Sequence, residues 1–255
     1  MSQNAATADV MLLRLRCLLS DYFPLLQQRF QDLMAGGQHS DTLFIGCSDS
    51  RVVPNLPTGI GPGKMFIARN VGAFIPAYDG DLPNPHETMG TRAGTRPAGA
   101  AASRQLVGLH GTTAAIEFAV LSPHAEQIIV CGHSHCGAIR AAHDGLPEEA
   151  VALQARFQFA REALLPVQTN REALRRPEPR VVVLQLERLM DYPMVRREVE
   201  RGQLTLQGWH CVIEDGEIHV FDVRQENFVS AATASNSGTE PYQPYVEHDG
   251  QIIGN

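Results

Sequence analysis

The chain has 255 residues, 44% of them hydrophobic and 19% charged, with a formal net charge of −7. That length suffices for one sizeable core, while an acidic chain without clustered Lys and Arg excludes a phosphate-neutralising nucleic-acid surface. No apolar run is long enough to span a bilayer and the N-terminus lacks the parts of a signal peptide, so the cytoplasm is the expected compartment.

Residues 8–35 carry apolar residues at helical spacing, with Leu13, Leu18, Leu25 and Phe30 on the apolar positions. Pro24 predicts two helical pieces or a kink, and Gly36-Gly37 a stop. Thr42–Cys47 reads as a buried strand leading into the polar stretch Ser48-Asp49-Ser50-Arg51, and Met65–Ala68 as a second buried strand. Residues 79–105 show no period and read as a long loop. A helix follows over 111–121, then a third buried strand, Gln127–Gly132, ending in His133-Ser134-His135-Cys136. Helix is expected after Gly137 and within 147–176. The run from Val181 is ambiguous at its β-branched start and helical beyond, broken at Pro193. Apolar runs on either side of Asp215-Gly216 read as a hairpin.

The pattern implies an α/β fold: a mostly parallel central sheet with an antiparallel edge, flanked by helices and preceded by a helical arm. The expected layout is the arm over 1–37, the α/β domain over 38–228 and an irregular tail over 229–255. Open sheets of this kind place their sites at the C-terminal ends of strands, where the two polar clusters fall.

Five cysteines, an odd number in a long chain, argue for thiols with a metal, catalytic or packing role rather than a disulfide framework. Cys131, Cys17 and Cys211 lie in apolar patterns and read as core. Cys47 and Cys136, each taken alone, would pass for buried structural thiols. Together with His133 they form a soft donor set suited to zinc, with a fourth position left open. Asp49 is then either a fourth ligand that closes the site or a carboxylate held off the metal by Arg51 through paired hydrogen bonds; a plain surface ion pair is equally compatible with the spacing.

The stretches LFIGCSDSRV, FIARNVG, AAIEFAV and IIVCGHSHCGAI, with a weaker PMVRREVERGQLTLQGW, resemble the β-class carbonic anhydrases. The resemblance implies one Zn2+ per chain on Cys47, His133 and Cys136, a catalytic pair Asp49 and Arg51, and a substrate pocket including Gln38, Phe66, Val71 and Gly137. It implies reversible hydration of CO2 to bicarbonate and a proton by zinc-bound hydroxide, in a homodimer or larger homo-oligomer with pocket residues drawn from both chains. Phe44 stands where the allosteric branch of the family has Trp, so the constitutively open branch is expected; Phe118 stands where plant members often have Tyr. His135 and His39 are candidate proton shuttles, although an ordinary polar or structural role is the favoured reading of each. A hydrolase for a CO2-like molecule such as carbon disulfide, and a non-catalytic zinc or bicarbonate-binding protein, are the alternatives; the presence of both Asp49 and Arg51 argues against the second.

Overall fold

The computed structural model describes residues 3–37, 40–78, 111–122, 124–157, 160 and 177–234. The chain forms two units, Met1–His39 and Ser40–Asn255.

In the first unit, α1 (Gln3–Cys17) runs through one π-helical turn (Leu18–Tyr22) into α2 (Phe23–Gly36). The interruption expected at Pro24 is therefore a widened turn rather than a break. Proline offers no N–H to the carbonyl four residues back, and its ring crowds that carbonyl. The helix absorbs this by widening just ahead of it, with the Phe23 N–H donating to the Leu18 carbonyl. Gly37, at φ 78°, ends the helix in the left-handed conformation. Leu13, Leu18, Leu25 and Phe30 are 59, 47, 59 and 37% exposed. Cys17, expected in a core, is exposed as well.

The second unit is built on a six-stranded sheet: β1 (Thr42–Cys47), β2 (Met65–Asn70), β3 (Gln127–His133), β4 (Thr205–Cys211), β5 (Ile218–Asp222) and β6 (Asn227–Ser230). The order is β2-β1-β3-β4-β5-β6. The first four strands are parallel, and β5 and β6 add an antiparallel edge, which is the expected fold class. Helices α3 (Asn55–Thr58), α4 (Gly111–Leu121), α5 (Gly137–Asp144), α6 (Val151–Phe157), α7 (Pro177–Leu189) and α8 (Pro193–Glu200) complete the described elements. Among the described residues no helix is long and apolar enough to cross a membrane.

The period-two alternation of strands sorts the core onto the two sheet faces. Leu43, Ile45, Ile128 and Val130 pack with Ile116 of α4 and with Val182 and Leu189 of α7. Phe44, Ile129 and Cys131 pack with Met65 on the other face. Helix α7 comes very close to the sheet where Gly132 lies: a Cβ there would meet Val182 Cγ2 at 2.6 Å. Two buried polar side chains tie the segment after β2 to the helical layer. The Ile75 N–H donates to Gln185 Oε1 at 2.6 Å, and the Tyr192 hydroxyl donates to the Pro76 carbonyl at 2.9 Å.

Three expectations need correction. Strand β2 is an edge strand rather than a buried one, with Ile67 40% exposed. The ambiguous run at Val181 is wholly helical, because Val181, Val182, Gln185 and Leu189 share a buried face. The irregular tail expected from residue 229 begins inside a strand: Val229 and Ser230 belong to β6, whose Phe228 is buried against the core.

Candidate metal centre

Strands β1 and β3 are neighbours: β1 lies between β2 and β3, and the chain passes from β1 to β2 on one side and then crosses back to β3 on the other. Their C-terminal ends therefore flank the point where the winding reverses, which opens a crevice in α/β sheets. Cys47 is the last residue of β1 and His133 the last of β3; in register, Gly46 faces Cys131, so Cys47 falls one step before the level of His133. Cys136 follows three residues later, immediately ahead of α5. The ligand atoms of these three buried residues lie within 4.8 Å of one another.

The donor chemistry of this trio fits a soft divalent metal. His133 Nδ1 lies 2.8 Å from the Ser134 carbonyl, which only accepts, so Nδ1 carries the proton and Nε2 is left with its lone pair. That Nε2 is buried without a hydrogen-bond partner. The two thiols are driven apart in acidity. The Cys136 hydrogen bond draws Cys47 well below the usual thiol range, against the opposing effect of burial. Cys136 is pushed up by that same contact with Cys47 and by burial. Two buried sulfurs this close carry two negative charges only with a cation beside them. Cys131, by contrast, is fully buried on β3, with its thiol pushed up by desolvation, and belongs to the core as expected.

Asp49 and Arg51 form a paired contact at the rim. Arg51 Nε donates to Asp49 Oδ1 at 2.9 Å and Nη2 to Oδ2 at 2.7 Å. The Arg51 backbone N–H also donates to Oδ1 at 3.0 Å, a local turn that sets the geometry of the pair. The Arg51 hydrogen bond holds the Asp49 carboxyl well below the ordinary carboxylate range. Asp49 Oδ2 lies 3.9 Å from His133 Nε2, close to the donor cluster and beyond hydrogen-bond reach of it.

The pocket residues divide. Val71 opens the 3-10 turn Val71–Ala73 directly after Asn70, the partner of Cys47 in register. Gly137 begins α5 next to Cys136. Phe66 instead sits at the level of Leu43, meets Phe118 in a tilted ring contact with centroids 5.4 Å apart, and packs on the main core; within one chain it does not join the cluster. Gln38 and His39 lie outside the described residues, as does the whole of the long loop 79–105.

The residue-type pattern left Arg69 unnoticed. Its Nε donates to the Cys47 carbonyl at 3.0 Å and its Nη2 to the Asp49 carbonyl at 2.6 Å, so a side chain on β2 fixes the backbone carrying both a thiol and the carboxylate. Glu214 is a second such residue. It sits in the turn after β4 and accepts a hydrogen bond from Ser134 Oγ at 2.6 Å and one from the His135 ring. The Arg69 signal was its place in FIARN, beside the strand already singled out; Glu214 had none beyond its neighbouring Asp-Gly turn.

A carbonic anhydrase family profile matches residues 42–218. The chain is 35% identical over 226 residues to a carbonic anhydrase of Pseudomonas aeruginosa, covering 83% of this chain and 86% of that protein. It is 34% identical over 236 residues to a carbonic anhydrase of Synechocystis sp., covering 89% and 75%. The solved structure of the beta-carbonic anhydrase CcaA superposes with a TM-score of 0.70 at 29% identity, covering 94% of this chain and 95% of that one. The family profile spans every residue of the Cys47, His133 and Cys136 cluster and of the Asp49–Arg51 pair, and the chain belongs to the β-class carbonic anhydrases, a family of carbonate dehydratases.

Proposed function

We propose that the chain hydrates CO2 reversibly to bicarbonate and a proton, using one zinc ion held by Cys47, His133 and Cys136. The observation that carries this is the convergence of two thiols and one imidazole lone pair beside a carboxylate already committed to Arg51. Zinc, when bound, supplies the Lewis acidity that makes a nucleophile of water near neutral pH. The protein's own part lies in position and charge. Three donors leave a fourth place open. Arg51 keeps both Asp49 oxygens engaged, so the carboxylate stays off that place. Asp49 Oδ2 instead accepts a hydrogen bond from the attacking oxygen and turns its lone pair toward the carbon of CO2. Val71, which is apolar, and Gly137, which has no side chain, flank the donors in sequence and register, as suits a nonpolar substrate.

A homodimer is part of the same reading. The exposed leucines and Phe30 of the helical arm, and the exposed apolar residues Ile67, Val71 and Phe118 around β2, are surfaces that a second copy would cover, and Phe66 would reach a pocket only across such an interface. All five cysteines are free, and a site that needs two thiolates suits a reducing compartment, which supports the cytoplasm. Stopped-flow hydration of CO2 by protein of measured zinc content, run alongside hydrolysis of carbon disulfide, tests the reaction. Fast CO2 hydration with no carbon disulfide turnover is expected; the reverse preference would overturn the assignment.

A further inference from the structure

The turn carrying His133 and Cys136 is stitched to the β4–β5 hairpin by more bonds than a surface turn requires. The Ser134 N–H donates to the Cys211 carbonyl at 2.9 Å, and the Ile213 N–H donates to Ser134 Oγ at 3.0 Å. Ser134 Oγ in turn donates to Glu214 Oε2 at 2.6 Å. The other carboxylate oxygen, Oε1, takes the His135 ring. Both oxygens of one carboxylate thus bind consecutive residues of the metal-site turn, from 80 and 79 residues farther along the chain.

His135 is held at φ 53°, a left-handed conformation uncommon for residues with a Cβ, although histidine adopts it more readily than most. In that conformation its carbonyl accepts a hydrogen bond from Arg51 Nη2 at 3.3 Å, the same nitrogen that binds Asp49 Oδ2. A continuous path of contacts therefore runs from Glu214 through His135 to Arg51 and ends on Asp49.

We infer that Glu214 is a positioning residue of the catalytic site: by fixing the Ser134–His135 turn it aims the His135 carbonyl at Arg51, and so keeps Arg51 on Asp49 and Asp49 off the metal. This rests on the zinc reading proposed above. Nothing in the role requires Glu214 to touch substrate. Ser134 and its neighbours hold the carboxyl of Glu214 down at about 2, so it is an ionised acceptor throughout the working range.

The test is a double-mutant cycle on cobalt-substituted protein, with azide as the probe of the open position and the visible absorption bands as the readout. Each variant is first shown to carry one cobalt per chain. Glu214→Ala frees Arg51, lets Asp49 compete for the open position, and weakens azide about tenfold. Glu214→Gln keeps an acceptor for Ser134 and stays within about twofold of the parent. In an Asp49→Ala background, Glu214→Ala has no further effect, because the competing carboxylate is gone. An unchanged azide affinity in Glu214→Ala, or a loss of equal size with Asp49 already removed, overturns the inference; the latter would mark Glu214 as a merely structural brace. Should Glu214→Ala fail to fold, Ser134→Ala removes the same bond from the other side and enters the cycle with the same expectation. Because the readout is ligand binding rather than turnover, a zinc enzyme that did not hydrate CO2 would overturn the proposed reaction and leave this cycle readable.

Discussion

At the scale of single residues, the proposed reading separates holding a metal from orienting a nucleophile. It gives Asp49 the second task, since both its oxygens are occupied by Arg51. Asp49→Ala is therefore expected to retain its zinc while CO2 hydration falls by about 10²-fold or more, the scale of a misoriented reacting group. Zinc analysis beside stopped-flow rates checks this, and loss of the metal would return Asp49 to the ligand set. The pair also predicts a pH signature. A carboxyl whose folded pKa is depressed contributes stability that is present above its unfolded value and lost as pH falls through the folded one. In chelator-stripped protein, the difference in melting temperature between the parent and Asp49→Asn should be constant from neutral pH downward and close only below about pH 4. A gap that closed in the neutral range would contradict the Arg51 hydrogen bond as the cause. The clustering of these residues is legible in the sequence because they sit at or directly after the ends of apolar runs, where strand ends announce themselves. Arg69 and Glu214 are not. Each reaches the site through strand register or a distant turn, and a single Arg on a strand or Glu in a hairpin looks like an ordinary surface residue.

At the scale of elements, packing decided what local pattern left open. Val181-Val182-Val183 has strand propensity, yet the run is helical because the face it shares with Gln185 and Leu189 is buried. An apolar run cannot say whether its strand lies at the centre or the edge of a sheet, so β2 reads as buried; β6, four residues with polar ends, carries too little period to register. The π-turn before Pro24 shows the converse, a proline whose disruption was legible though its form was not. The contact between Gly132 and Val182 is the sharpest packing constraint near the site. Gly132→Ala pushes α7 off β3 directly beside His133 and is expected to destabilise by about 1–3 kcal/mol. Urea unfolding reads this loss, and Val182→Ala in the same chain should recover part of it. A Gly132→Ala protein as stable as the parent would mean that α7 has room to move.

At the scale of the whole molecule, the arm carries more exposed apolar surface than a solitary helix tolerates, since such helices owe their stability mainly to a packed face. Self-complementary surfaces of this kind most often close as two-fold dimers. On the proposed dimer, deleting residues 1–35 should weaken association and expose apolar surface, which light scattering and a hydrophobic dye report. A full-length, zinc-loaded protein that is monomeric and active at micromolar concentration would contradict the shared pocket. The central claim, that Cys47, His133 and Cys136 hold the zinc on which CO2 hydration depends, is tested most directly by returning zinc to chelator-stripped protein while following the hydration rate. The rate should rise linearly and stop at one zinc per chain, and Cys136→Ser should neither hold the metal nor recover the rate. Full activity in the stripped protein, or full zinc and full activity in Cys136→Ser, would contradict it.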